Sequence, residues 1–152
     1  MGPAAAPLDS FAPAADLSNG AHARALIEVH CRRISQLRRE VLRDVDREPL
    51  HQFRVSLRRL RTVLEQFGPA LVLPRGVSSR RLAALARCSG EARDLDVLGE
   101  RLQSELLLCL EPEDRTALRP LLRRLSRRRR QAFEAMEEAL ASPRTTRLLA
   151  KI

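Results

Sequence analysis

Two arginine-rich stretches and one acidic motif carry the residues that could do chemistry. The first, "HQFRVSLRRLR", runs from His51 to Arg61 and holds one histidine and four arginines with no acid. On a helix, His51, Arg54, Arg58 and Arg61 recur at steps of three and four and so form one flank. Ordinary charged helix faces carry acids three or four residues from each base. Arg54, Arg58 and Arg59 have none at those offsets, and only Arg61 has one, Glu65. Guanidinium groups grip phosphate oxygens or carboxylates in pairs, so an unpaired row of them suits an anionic ligand.

The second stretch, "RRLSRRRR", places six arginines between Arg123 and Arg130. Glu134 is within helical reach of Arg130 but not of Arg123, Arg124 or Arg127, and Arg128 or Arg129 takes an otherwise inward position. Arg123, Arg124, Arg127 and Arg128 are candidates for a wall facing the first stretch. The third, "GEARDLDV" from Gly90 to Val97, sets Arg93 between acids. Asp94 and Asp96 diverge by roughly 160° on a helix, which rules out joint binding of one ion or proton. A scaffold that orients arginines of a neighbouring helix fits better. Gly90, in a helix interior, points to close approach by another element.

His51 has three readings: a donor to phosphate, a phosphorylated or metal-binding residue, or a structural residue at a helix start. Nearby arginines oppose a cation, so the phosphate donor ranks first and the structural role second.

The elements that must position these groups are helical. Ile27, His30, Ile34, Leu37, Val41 and Val45 predict a first helix over about 20–46, with Ser18 or Asn19 as its cap. Leu50, Phe53, Leu57, Leu60, Leu64 and Phe67 predict a second from Pro49 to Gly68-Pro69. Ser78 or Ser79 opens a third, with its stripe at Leu82, Leu85, Ala92, Leu95, Leu102, Leu106 and Cys109. The fourth covers about 114–141, through Leu118, Leu121, Leu125, Ala132, Met136 and Ala139, and Pro120 predicts a kink or a later start. Ser142-Pro143 begins a short last helix. The expected fold is an all-α antiparallel four-helix bundle with long helices, over residues 19–152, preceded by a disordered Ala/Pro-rich leader at 1–18.

Composition bounds the function. The chain has 152 residues, enough for one domain with a core, and a net charge of +9 carried by 28 basic residues, of which Lys151 is the only lysine. Codon usage in a GC-rich genome also enriches arginine, but the sign of the charge stands. Cys31, Cys88 and Cys109 are odd in number and lack CxxC spacing, which argues against a disulfide framework or a zinc cluster and suits a reducing cytosol. The first twenty residues contain neither a basic start nor a continuous apolar run, so no signal peptide or membrane span is expected there. Nucleic acid is the competing polyanion. Four phenylalanines and no Trp or Tyr leave little for base stacking, since Phe53 and Phe67 fall on the core stripe. An enzyme would need a metal site or an activated nucleophile, and neither spacing is present.

At "HQFRVSLRRLRTVLEQF" and "GEARDLDV" the sequence resembles the CHAD domain, the conserved-histidine α-helical domain. The resemblance extends over 21–152 and includes the closing "LASPRTTRLL". It implies a helical bundle lined with basic residues that binds inorganic polyphosphate and is targeted to polyphosphate granules, with no cofactor and no metal. His51, Arg54, Arg58, Arg59 and Arg61 match its basic motif, and Arg93, Asp94 and Asp96 its second motif. The family's domain usually comprises two related helical halves, and this chain matches the first. That implies one half of a double bundle, either pairing with itself to complete the basic groove or acting as a reduced or partial version.

Overall fold

A computed structural model describes residues 18–151 of the chain, so residues 1–17 of the expected leader lie outside the described residues. Helix α1, Asn19–Val41, starts at Ser18, whose hydroxyl accepts from the amide of Ala21 at 3.3 Å. It turns back through Leu42–Asp46 into α2, Glu48–Phe67. The first helix thus ends five residues earlier than its periodicity predicts. Asp44 takes a left-handed conformation, φ 48°, that breaks the helix. Aspartate tolerates that region better than most residues. Val45, expected in the core, is 88% exposed on the turn.

Helices α1 and α2 form an antiparallel pair with a continuous seam. Ala23, Ile27, Cys31, Ile34, Leu37 and Val41 face Leu50, Phe53, Leu57, Leu60, Val63 and Leu64, all buried. Each fully buried leucine or phenylalanine contributes roughly 1.5–3 kcal/mol, so this seam anchors the domain. Burial lifts the Cys31 thiol to about 12, with the charge of Glu28 adding to it, which keeps that cysteine protonated and inert.

The expected third helix is in pieces. Helix α3, Ser79–Cys88, is capped by Ser78, and Ser89 separates it from α4, Gly90–Arg101. A wider π turn follows at Leu102–Leu106, then a single α turn, α5, at Leu107–Cys109. The fourth helix is likewise divided into α6, Pro112–Ala117, and α7, Arg119–Ala141. Pro120 sits in the first turn of α7, where its missing N–H costs nothing, so the helix restarts rather than kinks. Helix α8, Pro143–Ala150, closes the fold. Arg38 of α1 ties this end together, donating to the carbonyl of Leu140 at 2.8 Å and to the Thr146 hydroxyl at 2.9 Å.

The described residues are all-α, with no strand. Met136 and Leu140 of α7, and Leu82, Leu85 and Ala92 of α3 and α4, close the core over the α1–α2 pair. Beyond Asp96 the α4 and α7 helices pack on each other and leave that core behind as a two-helix arm. The predicted stripe therefore fades along the arm. Leu95 and Leu102 are half-buried, Leu106 and Leu121 are 42% and 45% exposed, and Cys109 is exposed. Two helices offer one seam, and side chains off that seam have nothing to cover them.

Candidate functional site

Helix α2 orients its arginines by the same stripe that buries Phe53 and Leu57. Arg54 is half-buried, and its Nη1 donates to the carbonyl of Ala86 at 2.6 Å and to the Ser89 hydroxyl at 3.2 Å. Both acceptors lie at the α3–α4 break, where the helix carbonyls are freed. Gly90 opens α4 instead of lying inside a helix, and a Cβ there would meet the same Nη1 at 3.4 Å, an ordinary contact with a movable side-chain end, so the structure does not require glycine at this position. Arg54 is thus a strut between α2 and α3, with its Nε and Nη2 groups without partners among the described residues. Arg61 pairs with Glu65 at 3.4 Å, and its buried Nε has no hydrogen-bond partner. Arg58 and Arg59 are exposed, and Arg59 adds its positive charge to the surroundings of His30 on α1. The motif therefore divides between two sides of α2. His51 is half-buried one turn before Arg54 and makes no side-chain hydrogen bond among the described residues.

The acidic motif separates along the same lines. Asp96 is fully buried, and its Oδ1 accepts from Nε of Arg129 at 3.0 Å and lies 3.5 Å from Nε of Arg47. Arg129 also makes a two-pronged pair with Asp44 and stacks 4.9 Å over the Phe133 ring. Bonds to Asp44 raise its already high pKa, so this guanidinium is permanently charged. The group ties the α1–α2 turn, α4 and α7 to one point. Arg129, not Arg128, is the arginine that takes the inward position on α7. Asp94, two residues from Asp96, is exposed on the opposite side, and Arg93 lies 4.0 Å from Glu100.

Two open grooves flank α4 on the other face. The larger, about 780 Å³, is lined by Arg54 and Arg61 of α2, Arg87 of α3 and Arg128 of α7, with Glu91 and Asp94 on its floor. Its apolar lining comes from Leu95, Leu98 and Leu125. Arg128 pairs with Glu91 at 3.0 Å, and both are more than half exposed. A second groove, about 630 Å³, shares Glu91 and Arg128 and continues to Arg124 and Arg127. The facing wall across from α2 therefore comes from the arginine run of the same chain. Arg123 lines a neighbouring hollow with Pro120, Leu122, Ser126 and Arg127, and so adjoins the second groove through Arg127. Arg58, Arg87, Arg124 and Arg127 have no ion pair among the described residues, where acids elsewhere could have met them.

Sequence reasoning missed Arg87, which stands outside both motifs, and the clamp formed by Arg47, Asp44 and Arg129. The αL-tolerant Asp44 and the inward register of Arg129 were the available signals. No group of three His, Cys, Asp or Glu side chains among the described residues could hold a metal ion, and no helix there is long and apolar enough to cross a membrane. Neither the curated proteins nor the solved structures compared with the chain gave a match. The CHAD domain profile matches residues 25–152, a span that takes in α2, the Asp96 clamp and the arginine run of α7. Extending over most of the sequence and all of the elements that build the grooves, that match makes this chain a member of the CHAD-domain family.

Proposed function

We propose that the chain binds inorganic polyphosphate in the two adjoining grooves, the larger between α2 and α7 and the second between α4 and α7, as a binding module rather than an enzyme. The observation that carries this reading is the convergence of Arg54, Arg61, Arg87 and Arg128, from three helices, on one groove that continues to Arg124 and Arg127. A linear anhydride carries about one charge per phosphate and offers little else to recognise, so a row of guanidinium forks is a suitable receptor. Arg54 and Arg61 stand about 10 Å apart along α2, a length that spans several phosphates. CHAD domains occur in polyphosphate-binding contexts, which supports the same ligand class here. Association with polyphosphate granules would follow from that affinity.

The competing reading is a nucleic-acid-binding helical protein, favoured by the net charge of +9. Titration with long-chain polyphosphate and with a random duplex, at matched phosphate concentration across a salt series, separates the two. Polyphosphate should bind markedly tighter, with log affinity falling linearly with log salt. Equal affinities would overturn the assignment. Replacing Arg124 and Arg127 with alanine should weaken binding and lower the salt slope by about one for each arginine removed.

A further inference from the structure

The far end of the arm differs in character from the rest of the molecule. Residues 103–114 hold four acids, Glu105, Glu111, Glu113 and Asp114, and no base, within a chain of net charge +9. None of the four forms an ion pair among the described residues. Beside them, on the π turn and α5, Leu106 and Leu108 are 42% and 70% exposed. Arg115, the next residue, folds back on this end, its Nε donating to the carbonyl of Leu110 at 2.8 Å, so the end is net acidic as well as apolar. The larger groove complements it in net charge, with Arg54, Arg61, Arg87 and Arg128 against Glu91 and Asp94, and with Leu95, Leu98 and Leu125 beside them.

We propose that the arm tip docks into the arginine groove of a second copy of this chain and competes there with polyphosphate. The contact is head-to-tail, joining two different surfaces, so it leaves a free tip and a free groove at the ends and extends into short chains. Charge complementarity selects this occupant. A tip-to-tip contact would set eight carboxylates against one another, whereas tip-to-groove sets four against a groove whose four arginines outnumber its two acids. The competition arm rests on the polyphosphate reading, while the docking itself does not.

Sedimentation velocity of the full chain should show association that grows with concentration and is lost at high salt. Two variants test the surfaces separately: Leu108→Glu with Glu113→Arg at the tip, and Arg87→Glu with Arg128→Glu in the groove. Each should be monomeric with unchanged helical circular dichroism. Mixed together they should pair one to one, since the first retains an intact groove and the second an intact tip. Short-chain polyphosphate should return the wild-type chain to monomers. A monomer at every concentration, or variants that fail to pair, overturns the docking. Polyphosphate that binds without displacing the second copy overturns the shared seat. Pairing that persists while polyphosphate fails to bind overturns the proposed function and leaves the docking standing.

Discussion

Helices α2 and α7 are both dense in arginine, yet they hold it differently. On α2 the apolar stripe is continuous, so every arginine is displaced to a flank, and Arg54 is recruited sideways to satisfy the carbonyl freed at the α3–α4 break. On α7 the apolar seam thins toward the arm, and Arg129 enters it, held by two acids from other elements and by the Phe133 ring. An arginine's role here follows from what the neighbouring helix offers it. Where a buried acid or a freed carbonyl faces it, it is held in place, with only its remaining donors free for a ligand, as at Arg54; where nothing does, all of its donors are free.

The sharpest way to break that distinction is Asp96→Ala. It takes one of two carboxylates from Arg129 and the nearer one from Arg47, while removing a buried carboxylate oxygen that has no partner, and should cost about 2 kcal/mol in urea denaturation. Glu91→Ala removes the partner of a largely exposed arginine and should change stability by less than about 0.5 kcal/mol. Equal effects would mean that burial does not separate the two kinds of pair.

A smaller effect separates residues within α2. Arg54→Ala should destabilise by about 1.5 kcal/mol, because the carbonyl of Ala86 and the Ser89 hydroxyl lose a charged donor. Arg58→Ala removes an exposed side chain and should leave stability within about 0.5 kcal/mol of the wild type. A stability loss at Arg58 equal to that at Arg54 would remove the difference between a strut and an exposed arginine.

The smallest effect is a pH dependence on the α1 side of α2. Partial burial, then the charge of Arg59, holds the His30 pKa below its ordinary 6.5. As pH falls, the unfolded chain takes up the proton before the folded one does. Stability is therefore full above about pH 6.5 and declines below it. His30→Gln should flatten that part of the stability curve, and Arg59→Ala should raise the His30 pKa followed by NMR titration.

Periodicity alone made the helices and their inward faces legible. Leu50, Phe53, Leu57, Leu60 and Leu64 lie in the core where their three-four spacing puts them, because a buried stripe on one helix is a local pattern. The arginines without acids at helical offsets were equally legible. Other features depend on contacts between residues far apart in the chain. The breaks at Ser89 and Leu118, and the end of the first helix at Val41, divide stripes whose apolar spacing continues across them. Asp96 and Asp94 have the same chemistry and sit two residues apart, yet one is the buried anchor of a clamp and the other lines an open groove. Arg87 joins Arg54, Arg61 and Arg128 only because α3 and α7 fold over α2. Sequence thus determined which faces are apolar and which are basic. Tertiary structure decided which charges meet, because ion pairing depends on distance through space and a sequence separation of 85 between Asp44 and Arg129 leaves no local record of it.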